Sequence, residues 1–297
     1  MAQADAANAK IKRNPKKKSQ VKEIWRRFRK NRIALFGLVL FIFILLVVIF
    51  ADVIVENSKA MIQVIPNRLK PPDSEHPFGT DNFGRDIFAR VVHGSRYSLL
   101  VGMGAVAIGM LIGGLLGAIA GFYSGIIDST IVRIMDTIMC IPLMLLVLSI
   151  VAALGASLVN VLVAMMIANI PIYTRVVRSV VLSVAGQDYI EAAKSCGTPN
   201  RWIIAKHVLP NAIGPIIVQA TMAVGTMIIN AAAISFLGMG IQPPTPEWGA
   251  MLNEARMHMI DYPHTVVFPG LAIGITALSL NLMGDGLRDA LDPKLKD

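Results

Sequence analysis

Long apolar segments, separated by charged ones, dominate the sequence. The first covers residues 33–51, and five more follow at residues 99–121, 134–154, 158–173, 213–237 and 266–283. A helix needs about 20 apolar residues to cross the hydrocarbon core of a bilayer. The pattern therefore predicts an all-α, polytopic membrane protein with about six transmembrane helices. Pro142 lies inside the third segment, where we expect a kink because proline removes a backbone donor.

A glycine repeat marks the second segment, at Gly109, Gly113, Gly117 and Gly121. Residues four apart share one face of a helix. Small side chains on such a face let a neighbouring helix approach closely, and close packing is a main source of stability between membrane helices. We therefore expect this face to contact another helix.

Amide side chains also occur within the predicted spans, at Asn160, Asn169, Gln219, Asn230 and Asn281. They could line a transport path or form hydrogen bonds between helices, and the second use is the commoner one. Ionisable residues are nearly absent from the centres of the spans, and Asp136, near the end of a span, comes closest.

Composition and charge support a membrane protein and orient it. The chain has 297 residues, of which 55% are hydrophobic and 16% charged, and its formal net charge is +9. Soluble proteins contain about 25% charged residues. Most of the positive excess lies in residues 1–32, and Lys and Arg are enriched on the cytoplasmic side of membrane proteins. This segment is therefore predicted to be cytoplasmic and to contact membrane lipid, and we expect no nucleic-acid partner.

The loops between the spans extend this orientation to the whole chain. Residues 173–210 are basic overall, whereas residues 238–265 are acidic overall. This difference predicts an N-in, C-in topology. We divide the chain into four parts. Residues 1–32 form a basic tail with an amphipathic segment, and residues 33–97 contain the first span with an extracytoplasmic segment. Residues 98–290 form a core with five spans, and residues 291–297 form a cytoplasmic C-terminus.

The basic tail is predicted to have two parts. Residues 1–18 are polar and rich in lysine, and we expect them to be disordered. Gln20 to Arg32 is predicted to form a short helix on the membrane surface, with Ile24, Trp25 and Phe28 on its apolar side.

No residue pattern indicates catalysis or metal binding. The sequence contains no HExxH, GxSxG or GxxxxGK[ST] motif. Cys140 and Cys196 lie in an apolar span and a basic loop, which is a poor basis for a disulfide, and no spacing resembles a metal site. We expect no catalytic residues, no metal and no cofactor.

The most informative segment is the predicted cytoplasmic loop at residues 185–211, which is too polar to enter the bilayer. Asp188 and Glu191 are spaced to form a capping box at the start of a short helix. Gly197 is suited to end that helix at positive φ. An ordinary connector between spans is the alternative, but this loop is long for a connector and has helix signals throughout.

A second short helix is predicted in the same loop. Thr198 would cap it, Pro199 would occupy its first position and Pro210 would end it. Ala192 and Ala193 are small, so the surface of the first helix can lie flat against another protein. A polar helix pair of this kind indicates a soluble partner.

The order and spacing of six residues in this loop resemble the EAA loop of ABC importer permeases. These residues are Glu191, Ala192, Ala193, Gly197, Leu209 and Pro210. The run HVLPN at residues 207–211 resembles the dipeptide/oligopeptide/nickel branch of that family. We therefore interpret His207 as a mark of the branch and not as a metal ligand.

Two predicted extracytoplasmic segments extend the resemblance, which is greatest to the C-type, or second, permease of the peptide system. They contain Gly79, Thr80, Asp81, Gly84, Arg85 and Asp86 in the first segment, and Pro243, Pro244 and Trp248 in the second. We expect Asp81, Arg85 and Asp86 to form an ion-pair cluster. Trp248 is either an exposed contact for an external protein or part of a rigid loop.

The resemblance implies a type I ABC importer permease fold in the prokaryotic plasma (inner) membrane. It implies a second permease subunit, two cytoplasmic ATP-binding subunits and an extracytoplasmic substrate-binding protein. The chain itself would be non-catalytic, and its EAA loop would couple ATPase motion to alternating access for dipeptides or oligopeptides. An ion- or proton-driven secondary carrier is the alternative, although such carriers usually bury ionisable groups within their spans.

Overall fold

The computed structural model describes residues 20–291, and helices form its framework. The helices are α1 Gln20–Phe28, α2 Arg32–Ile49, α3 Ala51–Ile54, α4 Asn57–Met61, α5 Ile87–Tyr123, α6 Gly125–Met139, α7 Leu143–Leu154, α8 Leu158–Ala185, α9 Asp188–Ser195, α10 Asn200–Ile203, α11 Leu209–Phe236, α12 Trp248–Ala255 and α13 His264–Leu291. A π-helical turn, Ile204–Val208, joins α10 to α11. The predicted disorder of residues 1–18, and the C-terminal tail beyond residue 291, lie outside the described residues.

Five helical segments in the described chain are long and apolar enough to cross a membrane: α2, α5, α8, the continuous segment Asn200–Phe236, and α13. The helices α6 and α7 together form a sixth candidate, but they meet at 82°. A single helix over residues 134–154 with only a kink is therefore wrong. Pro142 adopts an extended backbone conformation, with φ −53° and ψ 132°, and separates the two helices.

Three of the spans are much longer than their apolar segments. Helix α5 begins at Ile87, where Asp86 caps it by accepting a hydrogen bond from the N–H of Ala89 at 2.8 Å. Helix α8 continues to Ala185 and α13 to Leu291. Hydropathy detects only the part of a helix that lies in lipid, so the polar ends of these helices were predicted as loops.

The predicted glycine face packs directly against α8. Each of the four glycines is buried, and a Cβ on Gly113 would lie 2.7 Å from the carbonyl oxygen of Ile170. A Cβ on Gly117 would overlap the carbonyl oxygen of Thr174. The backbones of α5 and α8 are therefore in contact, which only glycine allows.

Two of the amide side chains within the spans form hydrogen bonds that hold helices or turns together. The Asn169 side chain is buried, and its Nδ2 donates to the carbonyl oxygen of Met165 at 2.8 Å. The same nitrogen lies 3.1 Å from the sulfur of Met227 on α11. Asn169 thus bridges two helices, whereas Asn160 bonds to the carbonyls of Leu154 and Gly155 at 2.9 Å and closes the α7–α8 turn.

The two described ends of the chain lie at the same end of the bundle. Phe28 of α1 is buried against Ala34 and Ala290, and the start of α11 reaches Leu291, since a Cβ on Gly214 would lie 3.4 Å from it. Helices α9 and α10 precede α11 at this end, which we call the α9 end. The opposite, α12 end holds residues 51–86 and α12. Which end faces the cytoplasm stays a prediction from charge.

The apolar residues of α1 do not all face the membrane, contrary to the prediction. Ile24 and Phe28 pack against the bundle, whereas Trp25 points outwards with 49% of its surface exposed. One face of α1 packs against an apolar surface formed by the ends of α2 and α13. The three residues therefore do not form a single membrane-facing side.

We predict that Gly113→Ala lowers the thermal unfolding midpoint of the purified protein in detergent. Its methyl group has no space against Ile170, and overpacking of this kind costs about 1–3 kcal/mol. Gly114→Ala is the matched control, because the nearest neighbour of its added methyl group outside the helix, Val177, would be 3.9 Å away. Equal midpoints for the two variants would contradict the importance of the glycine contact.

Candidate functional sites

A glycine-terminated turn shapes the surface at the α9 end. Gly197 follows α9 with φ +73°, as predicted. The N–H of Gly197 donates to the carbonyl oxygen of Lys194 at 2.9 Å. The N–H of Thr198 donates to the carbonyl oxygen of Ala193 at 3.1 Å. These two bonds are those of a Schellman motif. They fix the angle between α9 and the segment that follows.

The predicted capping residues of this loop are wrong. Gln187, not Asp188, is the N-cap of α9, and Pro199, not Thr198, is the N-cap of α10, and neither makes a side-chain capping bond. Asp188 and Glu191 instead lie in the first turn of α9. Acidic groups at that position still interact favourably with the helix dipole.

Pro210 does not end the second helix, contrary to the prediction. The chain continues from α10 through the π turn into α11 as one helical segment. The N–H of Leu209 bonds to the carbonyl oxygen of Ile204, five residues earlier. Proline is tolerated in the first turn of a helix, because the backbone N–H that it lacks would have no partner there. The π turn places Pro210 in the first turn of α11, so the helical segment continues through it. The fifth span is thus mechanically continuous with the loop.

The inner side of the helix pair is anchored in the bundle. Ile190, Ile203 and Val208 are completely buried and pack with Phe122 of α5 and Val181 of α8. Each of the three comes from a different element of the loop. The loop is therefore a packed extension of two spans and not a free connector.

The outer side of the helix pair is open. Glu191, Ala192, Gly197 and Pro210 are exposed, while Ala193, His207 and Leu209 are partly buried. Two large side chains, Tyr189 and Trp202, are 45% and 47% exposed. A Cβ on Gly197 would meet nothing within 4 Å. The exposed residues of the pair thus include small ones and two large aromatic ones.

At the α12 end, two arginines and two acids form a buried ion-pair cluster. Arg85 contacts Asp81 and Glu254, each at 2.7 Å, and Arg90 contacts Glu254 at 2.8 Å and also Asp81. Both arginine side chains are almost fully buried. The cluster joins the loop before α5 to α12. Asp81 and Arg85 belong to the cluster predicted from the sequence, whereas Arg90 and Glu254 do not. The only sequence signal of these two residues is a charge beside a predicted span.

Asp86 lies outside this cluster, which corrects part of the prediction. Besides capping α5, it contacts Nδ1 of His76 at 2.8 Å. Gly79 and Gly84 both have positive φ, and a Cβ on Gly84 would overlap the carbonyl oxygen of Val64. The motif residues therefore have a structural role in folding this loop.

Other polar groups complete the same loop. Thr80 accepts a hydrogen bond from the N–H of Lys70 at 2.9 Å and donates to the carbonyl oxygen of Asn67. The N–H groups of His76 and Glu75 donate to Asp73 and hold the pKa of that carboxyl below its usual value. The loop is thus held by internal hydrogen bonds along most of its length.

Trp248 is not an exposed contact residue. It is 2% exposed, and its Nε1 donates to the carbonyl oxygen of Val91 at 2.9 Å. The preceding Glu247 is also buried and caps α12 through bonds to the N–H groups of Gly249 and Ala250. The indole is large and apolar, so its burial against α5 is favoured over exposure. Of the two interpretations of this loop, the rigid connection agrees with the structure.

Other residues of this loop are exposed at the α12 end. Pro243 and Pro244, joined by a cis peptide bond, are exposed, and so is Gln242. The amide of Gln242 donates to the carbonyl oxygens of Gly238 and Gly240 at 3.2 and 3.1 Å. Hydrogen bonds within the turn therefore hold its exposed residues at the α12 end.

Comparison with protein families matches residues 113–297 to the binding-protein-dependent transport system inner membrane component. The chain belongs to this family. Residues 19–72 match the N-terminal transmembrane domain of oligopeptide transport permease C. This permease is therefore a multi-pass inner-membrane subunit of an ABC importer, and a secondary carrier, the alternative from the sequence, is wrong.

Individual relatives belong to the peptide branch. The dipeptide transport system permease protein DppC of Alkalihalophilus pseudofirmus is 48% identical over 93% of this chain and 90% of its own length. The glutathione transport system permease protein GsiD of Escherichia coli O1:K1 is 47% identical over 92% of this chain and 90% of its own length. These relatives are permease subunits, which agrees with a non-catalytic membrane subunit.

A solved structure supports the fold. An inward-facing form of the MetNI methionine ABC transporter matches with a TM-score of 0.58, over 69% of this chain and 98% of that chain. The sequence identity is 19%, so the likeness concerns the fold alone. It supports the predicted type I permease fold.

We predict that Glu254→Gln strongly destabilises the permease, because it leaves the charges of Arg85 and Arg90 incompletely matched in a buried site. Breaking a buried pair costs about 3–5 kcal/mol. Thermal unfolding in detergent measures the effect. Asp52→Asn is the control: it removes an equal charge from an exposed pair with Arg96 and should leave the midpoint nearly unchanged. Similar losses in both variants would argue against the cluster.

Proposed function

We propose that this permease imports short peptides, and that ATP hydrolysis in partner subunits drives it through α9 and α10. The peptide class is supported by the relatives named for dipeptide and glutathione transport, since glutathione is itself a tripeptide. One structural observation gives the main support for coupling to the ATPase subunits. A helix pair with an open outer side is anchored by its inner side to two spans.

The buried side of the pair is suited to transmit motion. A partner that displaces α9 also displaces Ile190, which contacts the cluster shared with α5 and α8. Displacement of α10 acts on α11 through the unbroken helix. Binding of ATP to the partner then shifts the population between two arrangements of the spans.

The outer side is suited to a soluble partner. Ala192 and Gly197 leave space for an approaching surface, and the aromatic rings of Tyr189 and Trp202 lie near them in sequence. The Trp202 ring also lies under Lys206, whose Nζ is 4.3 Å from the ring centre. Aromatic side chains of this kind are common anchors in protein interfaces.

We propose the remaining partners on the same basis. Two ATP-binding subunits, a second permease and an external substrate-binding protein complete the importer. The sequence lacks a phosphate-binding GxxxxGK[ST] loop, so ATP binds to another subunit. The external protein meets the α12 end, where Pro243 and Pro244 are exposed. Residues 98–290, with coupling loop 185–211, form the core unit of the permease.

We predict that Gly197→Ala and Gly197→Asn both lower peptide-stimulated ATPase activity and transport by the assembled importer, by about tenfold or more. Asparagine tolerates the left-handed conformation, so it separates backbone strain from bulk. Loss in both variants indicates contact with a partner. Loss in the alanine variant alone would limit the role of Gly197 to the turn.

The control for these variants is Gly155→Asn. Gly155 also has positive φ, at +91°, and a Cβ there would meet nothing within 4 Å. It lies in the α7–α8 turn, away from the helix pair. We expect it to keep coupled activity, and an equal loss there would contradict the proposal.

Uptake of labelled peptides tests the cargo. A strain that lacks this gene should lose ATP-dependent uptake of a dipeptide or of glutathione, and the intact gene should restore it. Competition by unlabelled peptides of different length defines the class. Unchanged uptake of both peptides, together with loss of uptake of an unrelated solute, would overturn the peptide assignment while leaving the coupling proposal standing.

A further inference from the structure

Helix α1 has an outer face that neither the bundle nor the proposed function uses. This face, continued by the turn that follows α1, carries one aromatic and four cationic side chains, which are Lys22, Trp25, Arg26, Arg29 and Lys30. Arg29 and Lys30 lie in that turn, where the N–H of Arg29 still bonds to the carbonyl oxygen of Trp25 at 3.0 Å. All five are exposed. The first four follow the spacing i, i+3, i+4, i+7, which places them on one stripe of the helix.

The charge of this face is largely unopposed. Glu23 also borders the groove between these side chains, but its carboxylate forms an ion pair with Arg27 at 2.9 Å. Within the part of the chain that the structure describes, no carboxylate forms an ion pair with the four cations. A partner with several negative charges would therefore complement the groove.

Contacts with the bundle set the position of this face. Phe28, which borders this face, is buried against Ala34 and Ala290. A Cβ on Gly286 of α13 would overlap that of Ala34 and lie 3.2 Å from the Phe28 ring. The ring of Trp25 stacks on that of Phe28, with centroids 5.9 Å apart. The cations thus have a defined position relative to the first span.

That position corresponds to the headgroup level of the bilayer. Asn31 caps α2, and the 18 residues of α2 rise about 27 Å, close to the thickness of the hydrocarbon core. Helix α1 ends three residues before Asn31, so it lies just outside this core. Tryptophan is enriched at this depth in membrane proteins, and Trp25 is the aromatic residue of the stripe.

We propose that this face binds the phosphate groups of anionic phospholipids in the adjacent leaflet. The four cations supply the charge, and Trp25 inserts its ring among the headgroups. An acidic protein surface would also satisfy the charge, but the depth of α1 and the outward tryptophan favour lipid. The proposal is independent of the transported cargo.

Fluorescence quenching of Trp25 tests this proposal. The full-length permease is reconstituted in nanodiscs that contain equal amounts of phosphatidylglycerol and phosphatidylcholine, with bromine on the acyl chains of one lipid at a time. The signal of Trp25 is the difference between the wild type and Trp25→Phe. We expect brominated phosphatidylglycerol to quench this signal about threefold more than brominated phosphatidylcholine, because basic residues at the surface attract anionic lipid.

Two variants with the same loss of charge separate this face from general attraction. The combined change K22Q, R26Q, R29Q and K30Q should lower the quenching ratio to about one. The change K10Q, K12Q, K16Q and K17Q, in the segment ahead of α1, should leave it unchanged. A ratio of one in the wild type, or an equal loss in the second variant, would overturn the proposal.

A salt titration of the wild type covers the case in which the first variant does not fold. Contacts with exposed charges weaken as ionic strength rises. The quenching ratio should therefore fall towards one as salt is added. A ratio that does not respond to salt would show that the cations do not select the lipid, and it would also overturn the proposal.

Discussion

Direct backbone contact between α5 and α8 positions the other helices of the bundle. Lipid is as apolar as the helices themselves, so little hydrophobic energy holds two spans together inside a bilayer. Close packing has to supply that stability, and the glycines of α5 allow it. Both candidate sites are built on elements that this pair positions.

The two ends of α5 carry the two sites. Arg90 belongs to the ion-pair cluster near its start, and Phe122 packs with α9 near its end. At 1.5 Å per residue these positions are about 48 Å apart along one helix. A rigid helix of this length links the surface that we propose for a soluble partner to the loops at the opposite end.

The ion-pair cluster contributes geometry more than stability. Burying charges is costly, and a well-matched buried pair often adds little net stability. Its two arginines and two acids are matched in number, and they are shared among the loop before α5, α5 itself and α12. Exchanging any partner would leave a charge unmatched. We infer that the cluster selects one arrangement of these loops, which gives the α12 end a defined surface.

The class of protein, most of its spans and the turn at Gly197 were predictable from the residues alone. Apolar length, the glycine period and the need for positive φ are local properties that a single segment carries. Other features follow from packing between distant segments. These are the break between α6 and α7, the burial of Trp248, the roles of Arg90 and Glu254, and the continuous helix through Pro210. Each depends on which distant surface a side chain meets, because burial and charge pairing are set by residues far apart in the chain. For the same reason, only the fold could show that one face of α1 is taken up by the bundle and the other is left to face a partner.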